Sequence, residues 1–87
     1  MPKLPVISGR EVIKRLSKVC YKVVRIRGSH CKLKRTKMLV VPLHPELAKS
    51  TLKAILNEIE LNEGIPQQVI RRLLRGEQVD ISCPEKR

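Results

Sequence analysis

The chain has 87 residues and a formal net charge of +11, from 19 Lys and Arg against 8 Asp and Glu. This length fits one domain near the lower limit for burying a core, and it excludes a cofactor domain joined to a substrate domain. Such a charge attracts polyanions, so nucleic acid is the first candidate partner and an acidic protein the second. With one aromatic residue, Tyr21, the chain lacks the base-stacking surface of single-strand binders, which leaves phosphates, 2′-hydroxyls and RNA shape as contacts.

The first helix is predicted to begin at Ser8. Ser8 and Glu11 match the S-x-x-E capping pattern, in which each side chain satisfies a backbone N–H of the first turn. The apolar positions that follow have helical spacing, and they are Val12, Ile13, Leu16 and Val19. This spacing indicates one buried face of the helix.

A β-hairpin is predicted around Gly28 and Ser29, because Gly tolerates the positive φ that a two-residue type II′ turn needs at its first position. The predicted cross-strand pairs are Arg27 with His30, Ile26 with Cys31, Arg25 with Lys32, Val24 with Leu33, and Val23 with Lys34. In this register one face is apolar, with Val24, Ile26, Cys31 and Leu33. The other face is nearly all basic, with Arg25, Arg27, His30, Lys32 and Lys34. A slip of one residue would mix the two faces, so their separation supports the register.

The remaining elements complete a fold prediction. A third strand over about residues 38–43 ends near Pro42. A second helix, capped by Ser50 or Thr51 and closed by Gly64, is followed by a short third helix that has Pro66 in its first turn and ends at Gly76. The predicted inner face of the second helix is Leu52, Ile55, Leu56 and Ile59, and that of the third is Val69, Ile70, Leu73 and Leu74.

This order, α-β-β-β-α plus a short C-terminal helix, predicts a two-layer α+β domain. Two helices cover one side of a three-stranded antiparallel sheet, and the other side is open to water. We assign residues 1–76 to a single domain and residues 77–87 to a polar tail, which is expected to be loose. Within this tail, Val79, Ile81 and Cys83 are candidates for a short edge strand.

His30 lies on the basic face of the predicted hairpin and is the candidate catalytic residue. A neutral imidazole accepts a proton from a hydroxyl near neutral pH. We therefore expect His30 to take the proton of an RNA 2′-OH while nearby cations stabilise the charge that develops on the phosphate, without a metal. The residues assigned to RNA binding are Arg25, Arg27, Gly28, Ser29, Lys32 and Lys34. The alternative is a solvated cationic strand face with a surface histidine.

Other residues have both a chemical and a structural interpretation. His44 is either a structural residue beside Pro45 or the second member of an acid–base pair, and Tyr21 is either a proton donor or a packing residue. Ser29 is a turn residue whose hydroxyl is also a candidate for orienting a phosphate. With two histidines and no cysteine pair, a metal site is not expected.

The cysteines and the apolar pattern predict a compartment. The three cysteines are Cys20, Cys31 and Cys83, an odd number without a CxxC spacing, which argues against a disulfide framework and a zinc site. They are interpreted as small core residues, Cys31 above all. No secretory signal is recognised and no apolar run has membrane-spanning length. We therefore expect a cytoplasmic, reduced protein that does not contact a membrane.

Two long segments of the chain resemble HicA-type mRNA interferase toxins, also called YcfA-like proteins. They are LPVISGREVIKRLSKVCYKVVRIRGSHCKL and LVVPLHPELAKSTLKAILNEIEL. The specific parts are the S-G-x-E-x-I/V-K helix start, the R-x-R-G-S-H hairpin, and V-P-L-H followed by T-L-x-x-I-L. The similarity runs from about Pro5 to Leu61. Two departures are Ser50, where many relatives have Gly, and the extension through residues 62–87.

The resemblance implies a fold, an activity and a partner. The fold is like that of double-stranded-RNA-binding domains, and the activity is cleavage of mRNA, which arrests growth. In these toxins the histidine of the G-S-H turn is catalytic, which is His30 in this chain. A HicB-type antitoxin neutralises such toxins by covering the active face.

Two other functions would use the same basic face. A non-catalytic binding module for structured RNA needs no imidazole at position 30, so His30→Gln separates it from an enzyme. A subunit that binds an acidic protein would respond less steeply to salt than phosphate binding does. None of these functions requires a small-molecule cofactor.

Overall fold

The computed structural model of the chain describes residues 4–84, and the predicted α+β fold is confirmed. The elements in order are α1 (Gly9–Ser17), β1 (Lys22–Arg27), β2 (His30–Lys34), β3 (Met38–Pro42), α2 (Lys49–Glu63) and α3 (Gln67–Leu74). The strands form one antiparallel sheet in the order β1-β2-β3. Helices α1 and α2 pack against β3, and α3 packs against both helices. No helix within residues 4–84 has the length and apolar character needed to cross a membrane.

Helix α1 begins as predicted, with one half of the expected capping pair. The Ser8 hydroxyl accepts a hydrogen bond from the backbone N–H of Glu11 at 3.1 Å. The Glu11 carboxylate does not return the bond, because it pairs with Arg15 at 3.0 Å on the next turn. Gly9 is in contact with the end of β3, and a Cβ at this position would collide with the Pro42 carbonyl. Gly9 therefore allows α1 to approach the sheet.

The register of the hairpin is confirmed near the turn and wrong farther from it. The pairs Arg27–His30, Ile26–Cys31 and Arg25–Lys32 form as predicted. A bulge at Val24 then shifts the strand, so that Val23 lies opposite Leu33 and Lys22 lies opposite Lys34. An extra residue of this kind leaves one position of the strand unpaired and increases the local twist.

The apolar face predicted for the hairpin is buried on β2 only. Cys31 and Leu33 belong to the core, whereas Val24 and Ile26 are exposed, and 59% of Ile26 is accessible to water. The reason is that the helices pack against β3, whereas β1 lies at the opposite edge of the sheet. The apolar face of the hairpin therefore contributes to the core through β2 and not through β1.

Helix α2 buries the four predicted side chains, Leu52, Ile55, Leu56 and Ile59. Its cap differs from the prediction, because Ala48 is the N-cap residue and makes no side-chain hydrogen bond, while Ser50 already lies within the helix. Gly64 ends the helix in the left-handed conformation with φ of 70°, which costs Gly little. Helix α3 then buries Ile70, Leu73 and Leu74 and so adds to the core.

The segment 77–84 contains no helix or strand, so the short edge strand expected there is wrong. The segment is also held rather than loose, because Val79 and Ile81 are partly buried against the core and the Arg35 guanidinium donates to the Ser82 carbonyl. The rest of the predicted tail, residues 85–87, lies outside the described residues.

The expectation that the chain has no disulfide is wrong. Cys20 and Cys83 are joined, with their Cα atoms 5.7 Å apart, within the usual range for a disulfide. The pair is 63 residues apart in sequence, and it meets because the C-terminal segment returns to the loop between α1 and β1. Cys31 is the free cysteine of the described residues and is buried, as expected.

Candidate active site

The hairpin turn sets the position of His30. Gly28 has φ of 59°, and Ser29 does not have a positive φ, which fits the predicted type II′ turn. A Cβ at Gly28 would have open space around it, so the backbone conformation alone favours glycine there. The Ser29 carbonyl accepts a hydrogen bond from the Leu43 N–H at 2.6 Å. The turn is thereby fixed to the chain that leaves β3.

Four of the predicted site residues lie together on the uncovered face of the sheet. Arg25 lies opposite Lys32, and Arg27 lies opposite His30. Together with Val40 they line an open hollow of about 380 Å³. The hollow is open to solvent, and His30 lies at its turn end.

The other three predicted site residues lie around this hollow rather than in its lining. Gly28 and Ser29 form the turn beside His30, where their backbone is exposed. Lys34 lies at the opposite end of β2, paired with Lys22 on one side and Met38 on the other. The basic face therefore extends along the full length of β2.

Within residues 4–84, no carboxylate forms an ion pair with the cations of the hollow. The ion pairs found within residues 4–84 engage Arg15, Arg35, Arg72 and Arg75. None of them involves Arg25, Arg27 or Lys32. Because these cations lie on neighbouring positions of two strands, they repel each other until an anion binds between them. A phosphate group would relieve this repulsion.

Val40 is the lining residue that the sequence did not indicate. It lies opposite Lys32 on β3 and faces the open side of the sheet. The sequence pattern of β3 is ambiguous, because Val40 and Val41 are adjacent and equally apolar. Only the register against β2 decides which of the two is buried. Val40 gives the hollow an apolar floor between cations.

Two residues with a possible chemical role are removed from the site by burial. Tyr21 is part of the core, and burial, with a contribution from the charge of Glu63, raises the pKa of its hydroxyl above the usual range. Burial also raises the pKa of the Cys31 thiol. The packing interpretation of Tyr21 is therefore the correct one.

The family model described as the HicA toxin of bacterial toxin–antitoxin systems matches residues 9–61. This range includes the hairpin, β3 and most of α2, and it ends before α3. Searches of curated proteins and of solved structures find no match.

Proposed function

Because the chain belongs to the HicA family of bacterial toxins, we propose that it is the toxin of a toxin–antitoxin pair and acts as a metal-independent endoribonuclease on mRNA. The observation that supports this function most directly is the position of His30 among uncompensated cations on an uncovered sheet face. The chemistry requires a base for the 2′-hydroxyl and positive charge for the phosphate, and this face contains both.

The proposed reaction is an internal transfer at phosphorus. His30 removes the proton of a 2′-OH, and the 2′-oxygen attacks the adjacent phosphorus atom. The bond from phosphorus to the 5′-oxygen breaks, which leaves a 2′,3′-cyclic phosphate and a 5′-hydroxyl after that oxygen takes up a proton. Arg25, Arg27 and Lys32 stabilise the negative charge on the non-bridging oxygens.

The basic face also supports a proposal for the partner protein, and the substrate supports one for the location. A HicB-type antitoxin that covers the basic face would block the hollow and keep RNA from His30. Such a partner is expected to present carboxylates to the cations of β1 and β2, because charge complementarity speeds association and suppresses wrong partners. Since the substrate is mRNA, the proposed site of action is the cytoplasm.

The decisive experiment is RNA cleavage by purified protein, native and His30→Ala, in a buffer containing EDTA. We expect the native protein to cut and His30→Ala to cut at least about 100-fold more slowly, since a general base contributes roughly 10²–10⁴-fold. RNA affinity should change little, because the phosphate-binding cations remain. The matched control is Lys53→Ala on α2, which removes an exposed cation from the helix layer and should cut like the native protein.

Three outcomes would contradict this proposal. Inhibition by EDTA would show that a metal is required. Equal cleavage by the native protein and His30→Ala would remove His30 from the mechanism. If neither cuts but both bind RNA with steep salt dependence, the protein is the non-catalytic binding module for structured RNA.

A further inference from the structure

The reaction proposed above needs a second group, one that protonates the departing 5′-oxygen. An alkoxide is a poor leaving group in water, so a positioned acid accelerates this step. The described residues offer few candidates near His30. Tyr21 and Cys31 are buried in the core, and a lysine ammonium such as that of Lys32 is a much weaker acid than an imidazolium.

The backbone brings the second histidine, His44, to the same end of the sheet. His30 lies opposite Pro42 on β3. The pairing continues beyond β3, because the Leu43 N–H donates to the Ser29 carbonyl. His44 follows directly, and its carbonyl accepts from the Gly9 N–H at 2.9 Å, which fixes this part of the chain to the start of α1.

Strand geometry gives the spacing between the two histidines. Residues opposite each other in a non-hydrogen-bonded antiparallel pair have Cα atoms about 4.5 Å apart, and each further residue adds about 3.4 Å along the strand. His44 is two residues beyond the partner of His30. The strand β3 ends at Pro42, and ideal strand spacing over the two residues to His44 corresponds to about 8 Å between the Cα atoms of the two histidines. Both residues are exposed. His30 lines the hollow and His44 lies outside its lining, so the two exposed imidazoles belong to the same end of the sheet.

We propose that His44 is the general acid of the reaction, an inference that rests on the proposed ribonuclease function. His44 in its protonated form donates a proton to the 5′-oxygen as the bond from phosphorus to that oxygen breaks. His30 gains one proton from the 2′-hydroxyl and His44 loses one, so the protons balance. Solvent exchange restores both imidazoles for the next cycle.

A sulfur substitution in the substrate distinguishes an acid from a structural residue. The probe is a short 2′-O-methyl oligoribonucleotide with a single 2′-hydroxyl, made with either oxygen or sulfur at the 5′-bridging position of the adjacent linkage. A thiolate leaves without protonation because thiols have far lower pKa values than alcohols. His44→Ala should cut the oxygen probe at least about 100-fold more slowly than native protein, yet cut the sulfur probe within about fivefold of the native rate.

His30→Ala is the matched control, because it should slow cleavage of both probes. An equal loss on the oxygen and sulfur probes with His44→Ala would overturn the proposal and assign His44 a structural role. No loss on the oxygen probe would also overturn it, and would leave water or Lys32 as the proton source. If the native protein cuts neither probe nor natural RNA, the ribonuclease function itself fails, which is a separate result.

Discussion

At the scale of single residues, Glu63 and Arg35 form an ion pair in which each side chain makes several further hydrogen bonds. Its carboxylate accepts from the Arg35 guanidinium at 3.0 Å and from the backbone N–H groups of Thr36 and Lys37 at 3.0 and 2.9 Å. Arg35 also donates to the Val19 carbonyl at 2.9 Å. One buried pair thus connects the end of α2, the β2–β3 turn and the loop after α1.

Stability should depend on pH through Glu63. Burial raises the pKa of Glu63, but the hydrogen bonds from Lys37, Arg35 and Thr36 outweigh it, so this pKa lies below its usual range. A folded-state pKa below the unfolded one adds stability that is present above the unfolded pKa and lost as pH falls through the folded pKa. Glu63→Gln should lower the free energy of unfolding at pH 7 by about 3 kcal/mol and flatten its decline in acid.

The measurement is urea unfolding of native protein and Glu63→Gln at a series of pH values from 7 to the acid range. The matched control is Glu60→Gln on the same helix, because Glu60 is exposed and its carboxylate accepts only from the Gln67 side chain among the bonds of the described residues. This control should follow the native curve. Parallel pH curves for native protein and Glu63→Gln would show that Glu63 does not contribute through its charge.

Most of the candidate site could be predicted from the sequence, for a physical reason. Side chains alternate strictly along β2, with His30, Lys32 and Lys34 exposed around the buried Cys31 and Leu33. Strict alternation determines which side chains share a face of β2. The contribution of β3 to the hollow could not be predicted, because consecutive apolar residues give no alternation.

At the scale of elements, β1 is the strand in which the sequence pattern and the observed structure disagree. Its sequence contains the adjacent pair Val23 and Val24, and a bulge at this pair leaves no trace in composition. Whether Ile26 is buried depends on which edge strand the helices cover, and this is a property of the tertiary structure. The pattern therefore predicted the strand and its basic face correctly and its burial incorrectly.

The exposure of β1 leads to a prediction on stability. Ile26 and Cys31 are cross-strand neighbours on the helix side of the sheet, yet Ile26 is exposed and Leu33, farther along β2, is fully buried. Ile26→Ala should therefore lower the free energy of unfolding by less than about 1 kcal/mol, whereas Leu33→Ala should lower it by about 2–5 kcal/mol. Chemical denaturation of the two variants beside native protein measures both values. A loss above 2 kcal/mol for Ile26→Ala would show that something covers β1 in solution.

At the scale of the whole molecule, the fold extends beyond the part that matches the family. The family model ends at residue 61, but Ile70, Leu73 and Leu74 of α3 belong to the hydrophobic core. The segment after α3 then continues to Cys83, where the disulfide returns it to Cys20. The sheet layer thus presents the basic face, and the extension strengthens the opposite, helical layer.

The disulfide could not be predicted because its half-cystines are 63 residues apart and one lies in a segment without regular structure. Cross-linking such a loop lowers the entropy of the unfolded chain, which corresponds to about 4 kcal/mol in the chain-entropy model. Removing the disulfide should therefore lower the free energy of unfolding by up to that amount. It should not alter the hollow around His30, which lies on the open face of the sheet.

The test is guanidinium unfolding of native protein and Cys83→Ser, each with and without a reducing agent. Native protein should unfold at a lower denaturant concentration when reduced, and Cys83→Ser should unfold at that same lower concentration in both conditions. Cys31, a buried thiol in either state, cannot account for a response that Cys83→Ser abolishes.

RNA cleavage should be equal for the two proteins under conditions where both are folded, since the disulfide joins the C-terminal segment to the loop before β1 and does not touch the hollow. If the midpoint of unfolding of the native protein is the same with and without the reducing agent, the Cys20–Cys83 bond does not form in solution.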